Sequence, residues 1–445
     1  MTLHFDDFNV CTANQTLVDL LQTQAVFQPN KCVFTYVSDG NEGTTTLTCA
    51  ELDARARAIA ADLQTCTQIG DRALLLYPQG LEFIAAFFGC LYSGVVAVPA
   101  YPPHPSKLER SLPRLRSIAA SAAPAVVLTT QAVLPLAARV QSEAPEFASP
   151  HWIATDGSAH ISTNTWRRPG LTADSLAFLQ YTSGSTAIPK GVMVSHGNLM
   201  HNERAMQVAF ETTPETVVVG WLPLYHDMGL IGNVLHPLFM GASCVLMSPS
   251  AFIQRPLAWL ELIDRHRATV SGGPNFAYEL CLRRTSPEDR ARLDLSSWRV
   301  AFNGAEPVRA DTIDRFARAF APSGFNPNTF FPCYGLAEAT LFAAGGAVSA
   351  VPTVCRVDTA AIGLNAVVTA QADDQTAAAL VGCGDAAAGQ QIVIANPATE
   401  TTADDDTIGE IWISGSSVAQ GYWHKRQDKK IMTVTNRKKR ANSCF

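Results

Sequence analysis

Several common signals are missing from this sequence of 445 residues, and each absence narrows the class of protein. Eleven cysteines occur, but none of them forms a C-x-x-C pair. Such pairs mark many zinc and redox sites, and scattered cysteines are typical of a reducing compartment, so we expect neither a zinc site nor disulfides. The first ten residues, MTLHFDDFNV, lack the basic and then apolar order of a secretory signal. We therefore expect a cytoplasmic protein.

Charge is also scarce in one long stretch, from Phe83 to Ala100, which contains no charged residue. Its length is close to the ~20 residues that a membrane-spanning helix needs. However, Gly89 and Gly94 interrupt the stretch, and its second half is rich in β-branched residues. A buried helix followed by a buried strand is therefore favoured over a membrane span.

The composition is that of a globular protein, with 47% hydrophobic and 16% charged residues. A chain of this length is expected to form two or three domains. The net charge of −6 is distributed unevenly. From His424 to Phe445 there are eight lysines or arginines and one acidic residue, so the preceding chain has a net charge of −13.

Short apolar runs alternate with stretches of helical length, such as Ala50 to Leu63 and Pro256 to Arg267. The alternation predicts an α/β fold with mostly parallel sheets. Strands are predicted at Ala73–Tyr77, Val95–Pro99, Ala125–Thr129, Val217–Leu222, Cys244–Met247, Val270–Gly272, Arg299–Phe302, Gln391–Ile394 and Gly409–Ser414. We expect a first α/β subdomain at 1–170, a second at 171–350, a β-rich subdomain at 351–423 and a basic tail at 424–445.

One loop has the composition of a phosphate-binding site, in the segment LQYTSGSTAIPKGVMVSHGNL, 179–199. Backbone N–H groups of a Gly/Ser turn converge on anions, hydroxyl groups add donors, and Lys190 supplies positive charge. The order differs from the Walker motif, in which lysine follows glycine and a Ser or Thr opens the next helix. Lys190 instead follows Pro189 and leads into a strand-like segment, Gly191–Val194. A solvated hairpin loop remains an alternative. The candidate phosphate ligands besides Lys190 are Thr182, Ser183, Gly184, Ser185 and Thr186.

The motif YTSGSTAIPKG resembles the phosphate-binding signature of the adenylate-forming superfamily, whose members join a carboxylate to ATP and release pyrophosphate. Four further blocks resemble the signatures of this superfamily, in the expected order: WLPLYHDMGL, NGAEPV, YGLAEAT and GEIWISGSSVAQGYW. The resemblance covers 181–423. It implies two doubly wound α/β subdomains followed by a smaller β-rich subdomain, a distorted barrel.

The resemblance also implies roles for individual residues. Tyr334, with Gly335 beside it, would lie against adenine, and Glu338 would bind Mg²⁺, for which one carboxylate together with phosphate oxygens is sufficient. Without the motif, Glu338 would be interpreted as a carboxylate on a surface helix. The backbone of the GAEP turn would flank the adenine ring, through Gly304, Ala305, Glu306 and Pro307.

His226 is the third candidate catalytic residue, with Lys190 and Glu338. The resemblance places it beside the acyl carboxylate, which it would orient. A metal site is not favoured because no second ligand motif accompanies the His226–Asp227 pair. A hydrogen-bonded histidine of the core remains an alternative.

The sequences of these blocks most resemble those of the fatty acyl-AMP ligases, which load fatty acids onto acyl carrier proteins. The segment from Cys355 to Ala370 resembles the insertion that this branch carries. ATP, Mg²⁺, a fatty acid and a carrier protein are the implied cofactors and partners. A long-chain acyl-CoA synthetase and a catalytically silent remnant remain alternatives. Nucleic-acid binding is not favoured, because the basic tail has no interleaved aromatic residues.

The resemblance stops after Trp423. Members of the superfamily continue with a Thr-Gly-Asp ribose-binding turn and a C-terminal domain bearing a lysine, and neither is found in this sequence. We therefore expect 424–445 to be an aberrant tail produced by a truncation or a reading-frame error. It should be disordered because it has too few apolar residues to offset its ordering entropy. Activity should be impaired.

Overall fold

A computed structural model describes residues 15–38, 43–102, 108–157, 165–182 and 189–424. The predicted tail, apart from His424, lies outside the described residues. The strands are β1 Cys32–Val37, β2 Thr44–Thr48, β3 Arg72–Leu75, β4 Val96–Pro99, β5 Val126–Thr129, β6 His151–Ala154, β7 Leu176–Thr182, β8 Lys190–Ser195, β9 Val217–Gly220, β10 Ser243–Met247, β11 Val270–Gly273, β12 Val300–Asn303, β13 Phe330–Gly335, β14 Phe342–Gly345, β15 Val354–Val357, β16 Ala378–Val381, β17 Asp385–Ala386, β18 Gln390–Asn396, β19 Thr401–Thr402 and β20 Glu410–Gly415.

Helices connect most of the strands as far as β13. They are α1 Leu17–Phe27, α2 Cys49–Leu63, α3 Leu81–Ser93, α4 Leu108–Ala122, α5 Ala137–Glu143, α6 His196–Phe210, α7 His236–Met240, α8 Pro249–Gln254, α9 Leu257–Arg265, α10 Asn275–Arg284, α11 Pro287–Ala291, α12 Ala310–Phe320 and α13 Thr359–Gly363. A π-helix, Met228–Leu235, precedes α7. Among the described residues, no helix combines the length and the apolar character needed to cross a membrane.

The chain divides into two compact units. The first comprises 1–203, 221–249 and 419–428, and the second comprises the remaining residues. In the first unit, six strands are hydrogen-bonded in the order β6-β5-β3-β4-β7-β8, and β8 alone is antiparallel to its neighbour. Strand β1 of this unit pairs with β10 in parallel and with β2 in antiparallel fashion.

In the second unit, strands are hydrogen-bonded in the order β17-β14-β13-β12-β11-β9, with the run from β13 to β9 parallel. Two small antiparallel sheets follow along the chain, β15-β16 and β19-β18-β20. The core of this unit contains a cluster of aromatic rings, among them Trp259, Tyr278, Trp298, Phe316 and Phe330, all at most 2% exposed.

Local chemistry accounts for many element boundaries. Helices α1 and α2 each begin with a capping box, in which Thr16 pairs with Asp19 and Thr48 pairs with Glu51. Helix α3 is buried from end to end and stops at Gly94, whose φ of +77° suits the left-handed C-cap position. The uncharged stretch is therefore a buried helix followed by the buried strand β4, as predicted.

The predicted α/β fold with a smaller β-rich part is confirmed. Each strand predicted from an apolar run is present, and neither of its ends is shifted by more than two residues. The two compact units are a different partition from the predicted subdomains at 1–170, 171–350 and 351–423. Those boundaries stay predictions.

Candidate active site

The predicted phosphate-binding loop connects the antiparallel strands β7 and β8 of the first unit. Thr182 ends β7 and is the register partner of Lys190, which begins β8. The candidate ligands Ser183, Gly184, Ser185 and Thr186 lie outside the described residues, between these two strand ends. The sequence therefore correctly predicted that Lys190 leads into a strand rather than into a helix, as it would in a Walker motif.

The start of β8 is closely packed. A Cβ atom on Gly191 would lie 2.9 Å from the ring of Tyr181, so a larger residue would displace that ring. The Tyr181 hydroxyl in turn donates a hydrogen bond to Ser121 Oγ of α4 at 2.8 Å. The Lys190 ammonium lies 5.0 Å from the ring centroid of Tyr422. The backbone that carries the Lys190 side chain is therefore held in place on the side that faces β7.

His226 lies in the turn before the π-helix, in the same unit. Its Nδ1 is 2.5 Å from Asp227 Oδ1, which also accepts a hydrogen bond from the Met228 amide at 2.8 Å. The Asp227 carboxylate raises the pKa of His226, chiefly through this hydrogen bond. The His226 side chain is 56% exposed, whereas that of Asp227 is only 12% exposed. The alternative of a core histidine is therefore wrong, and the imidazole is accessible to a ligand.

Two glutamines that the sequence did not single out hold this turn. Gln79 donates to the carbonyl oxygen of Leu222 and accepts from the amide of Leu224, both at 3.0 Å. Gln180 of β7 is 4% exposed, and its Nε2 donates to the carbonyl oxygen of Tyr225 at 3.2 Å. Gln180 thus ties the strand before the phosphate loop to the turn that carries His226. In the sequence, the role of Gln180 is indicated only by the fact that it is a polar residue inside an apolar strand.

The YGLAEAT block lies at the carboxyl end of β13, in the second unit. Tyr334 and Gly335 are the last residues of the strand, and Glu338 follows in a short 3-10 turn, Ala337–Ala339, rather than in a surface α-helix. Tyr334 is half-buried. Its pKa is raised, first by burial and then by the charge of Glu338. The charge of Glu338 therefore acts on the Tyr334 hydroxyl.

Thr340 ends this turn in a strained conformation. Its φ of +71° and ψ of −64°, with a 2.9 Å bond from the Leu341 amide to the Ala339 carbonyl oxygen, define a classic γ-turn, which is rare in proteins. The Thr340 hydroxyl donates to the carbonyl oxygen of Ser417 at 2.6 Å, and both residues are fully buried. Strain of this kind is retained only where the surrounding structure enforces it. The sequence did not identify Thr340 as a site residue.

A close backbone approach shapes the same turn. A Cβ atom on Gly335 would lie 1.9 Å from the carbonyl oxygen of Leu341, a distance that no side chain could adopt. Glycine at this position therefore allows the end of β13 to pass directly beside the chain that leaves the turn.

The GAEP turn follows β12, next to the YGLAEAT block. Strands β12 and β13 are parallel neighbours, so both blocks leave the carboxyl ends of adjacent strands, where ligands commonly bind in α/β sheets. A Cβ atom on Gly304 would lie 2.8 Å from the carbonyl oxygen of Cys333, the residue before Tyr334. Ala305 has a φ of +68°. The structure therefore brings Tyr334 close to the turn that the sequence predicted to flank adenine.

Glu306 has a structural partner within this unit. Its Oε1 accepts a hydrogen bond from the backbone amide of Phe276 at 2.6 Å, so it caps the N-terminus of α10. Beside it, the buried Asn275 Oδ1 accepts from the Arg309 amide at 3.0 Å. Phe276 is 40% exposed, whereas Tyr278 lies fully in the core. The GAEP turn and the start of α10 are thus held as one structure.

No cluster of three or more His, Cys, Asp or Glu side chains that could hold a metal occurs in the part of the chain that the structure describes. Magnesium commonly takes one or two carboxylates and completes its shell with phosphate oxygens and water. A half-buried carboxylate such as Glu338 fits that mode of binding.

Comparisons with known proteins converge on one family. The family profile described as AMP-binding enzyme matches residues 21–423. A medium-chain-fatty-acid–[acyl-carrier-protein] ligase of Moorena producens is 44% identical over 418 residues, which cover 93% of this chain and 71% of that protein. A long-chain-fatty-acid–AMP ligase of Mycobacterium marinum is 36% identical over 422 residues, which cover 93% of this chain and 71% of that protein.

Solved structures also resemble this chain over most of its length. The crystal structure of a fatty acyl-adenylate ligase from Legionella pneumophila, in complex with acyl adenylate and pyrophosphate, has a TM-score of 0.86 and 40% sequence identity. The match covers 97% of this chain and 73% of that one.

Proposed function

Because the chain belongs to the family of AMP-binding enzymes, we propose that it activates a fatty acid as its acyl-adenylate. A carboxylate oxygen of the fatty acid attacks the α-phosphorus of ATP, the bond from that phosphorus to the oxygen bridging to the β-phosphate breaks, and pyrophosphate leaves. The observation that carries the proposal is the identity with the fatty-acid–carrier-protein ligase of Moorena producens over nearly the whole chain.

In the first unit, Lys190 and the loop before it bind the phosphates of ATP. The position of Lys190 at the first residue of β8, paired with Thr182 across the loop, supports this role. The loop residues Ser183 to Thr186 add backbone and hydroxyl donors. His226 orients the fatty acid carboxylate. Its exposed imidazole, and the raised pKa that comes from the hydrogen bond to Asp227, favour a protonated ring that donates to an anion.

In the second unit, Tyr334 lies against the adenine ring, and the backbone of the GAEP turn flanks that ring. The adjacency of the two blocks at the ends of β12 and β13 supports this arrangement. Gly335 permits the close backbone approach that shapes the turn, and Glu338 provides the carboxylate oxygen for Mg²⁺. Bound Mg²⁺ would neutralise charge on the phosphate oxygens during the displacement.

The acyl group then passes to a carrier protein. The thiol sulfur of the carrier attacks the acyl carbonyl carbon, the bond from that carbon to the phosphate oxygen of AMP breaks, AMP leaves and the thiol proton passes to solvent. The similarity to an acyl-carrier-protein ligase and to a fatty-acid–AMP ligase supports this acceptor rather than CoA. With ATP and a carrier protein as partners, we also propose a cytoplasmic location.

The test follows both steps with the 445-residue protein. Incubation with ATP, Mg²⁺ and fatty acids of graded length should release pyrophosphate and yield acyl-AMP, detected by mass spectrometry. Addition of a carrier protein bearing its phosphopantetheine thiol should produce an acyl-carrier thioester, and CoA should produce little. Rapid formation of acyl-CoA would make the protein an acyl-CoA synthetase. Binding of ATP without any acyl-AMP would indicate a catalytically silent remnant.

A further inference from the structure

We propose that Tyr422 is a positioning residue for Lys190, whose ammonium it holds over the face of its ring. The two residues are distant in sequence, but the ammonium nitrogen lies 5.0 Å from the ring centroid, within the ~6 Å limit of a cation–π interaction. This inference rests on the proposed role of Lys190 in binding the ATP phosphates. Tyr422 acts through Lys190 and not on the nucleotide itself.

The backbone explains how Tyr422 reaches Lys190. The segment 420–423 lies antiparallel to β8, on the side opposite to β7. The Met193 amide donates to the Gly421 carbonyl oxygen at 2.9 Å, and the Trp423 amide donates to the Gly191 carbonyl oxygen at 2.8 Å. These bonds fix the register of the segment against β8, so the position of Tyr422 along the strand is determined by the backbone.

In this register, Tyr422 faces Val192 across the pair. The two hydrogen bonds flank that position, which makes it a non-hydrogen-bonded pair, in which opposite side chains are closest. Lys190 lies two residues before Val192 and hence on the same face of β8. Residues in this diagonal relation are ~7–8 Å apart, within reach of an aromatic ring and a long side chain. The contact therefore follows from the strand pairing.

The surroundings strengthen the contact. Tyr422 is only 8% exposed, so its ring meets the ammonium with little competing water. A lysine side chain otherwise loses much rotamer freedom when it is fixed on a ligand. The ring covers one side of the ammonium, whose three N–H donors point in different directions, so other donors stay available for phosphate oxygens. Tyr422 thereby reduces the entropy lost when Lys190 binds a phosphate.

Two substitutions separate the ring from the hydroxyl. Tyr422→Phe keeps the aromatic face, and Tyr422→Leu removes it. Dissociation constants for ATP and for adenosine, measured by isothermal titration with the 445-residue protein, should show ATP binding about 5- to 30-fold weaker in Tyr422→Leu and within about 2-fold of the parent in Tyr422→Phe. Adenosine binding should stay unchanged in both variants, because adenosine has no phosphate for Lys190 to bind.

A double substitution tests whether the effect passes through Lys190. In the Lys190→Ala background, Tyr422→Leu should cause no further loss of ATP affinity. Additive losses would contradict the inference, and so would an unchanged or tighter ATP affinity in Tyr422→Leu or an equal loss for adenosine. If Lys190→Ala alone left ATP binding intact, the proposed phosphate role would fail instead. Thermal unfolding checks each variant, and Tyr422→Met replaces the leucine variant if that one does not fold.

Discussion

The buried pair of Glu203 and His236 gives a quantitative prediction for the first unit. Glu203 lies in α6 and His236 begins α7, directly after the π-helix that follows Asp227. His236 Nδ1 and Glu203 Oε2 are 2.8 Å apart, and the two side chains are 2% and 0% exposed. The pair thus connects α6 to the helical segment that begins beside His226. We consider the substitution His236→Ala, which removes the partner of a fully buried carboxyl group.

The expected cost depends on the charge of that carboxyl group. A buried neutral group left without a hydrogen-bond partner costs about 1–3 kcal/mol, whereas a buried ion left unpaired costs about 3–5 kcal/mol. Burial raises the pKa of Glu203, and the hydrogen bond from His236 opposes this rise. Without His236 the pKa of Glu203 in the folded state should rise further. The folded variant would then bind this proton more tightly than the folded parent does, so the loss of stability relative to the parent should grow as the pH rises above the raised pKa that Glu203 has in the folded parent.

Denaturation curves at pH 5 and pH 8, followed by the fluorescence of the seven tryptophans, measure this effect. At about 2–4 °C per kcal/mol, a loss of about 3–5 kcal/mol at pH 8 lowers the Tm by about 6–20 °C. His226→Ala is the matched control, since its imidazole is exposed and Asp227 keeps its hydrogen bond from the Met228 amide, so the cost should be at most about 1 kcal/mol. Equal destabilisation by the two substitutions, or a loss that shrinks with rising pH, would refute the reasoning.

Three further predictions concern the candidate site. Lys190→Ala and Glu338→Ala should each slow pyrophosphate release about 100- to 1,000-fold, because each removes a charge proposed to act on the ATP phosphates or their Mg²⁺; release at the parental rate would contradict those roles. The pKa of His226, measured by NMR titration, should exceed 6.5 in the parent and drop in Asp227→Asn, and an unchanged value in that variant would reject the hydrogen bond as its cause. Thr340→Val should destabilise the chain by about 1–3 kcal/mol and raise the KM for ATP, whereas Thr340→Ser, which keeps the hydroxyl, should do neither; equal effects of both variants would exclude the hydroxyl contact.

Much of the fold follows from patterns that are local in sequence. Apolar runs bounded by turn residues predicted nine of the strands, distributed over both units, and the uncharged run from Phe83 to Ala100 predicted the buried helix α3, which stops at Gly94. These inferences succeed because helix and strand periodicity, and the need to bury apolar side chains, act over a few residues. The order of residues around Lys190 likewise predicted that it leads into a strand.

The contacts that arrange the candidate site could not be predicted in the same way. Gln180 reaches the carbonyl oxygen of Tyr225, and Thr340 bonds to Ser417, a residue far along the chain. Neither residue belongs to a pattern that indicates its partner, because a polar side chain can hydrogen-bond to almost any backbone group. The alternatives for His226 were open for the same reason, since exposure depends on what packs around a turn.

The sequence by itself determined the α/β fold, the predicted strands and the order of the motifs, because each of these depends on residues close together in the chain. Only the tertiary structure decided that Tyr422 meets Lys190 and that Gly304 packs against Cys333. The physical reason is register. A shift of one residue between paired strands would turn every side chain to the opposite face, and the register is set by hydrogen bonds between segments that are remote in sequence.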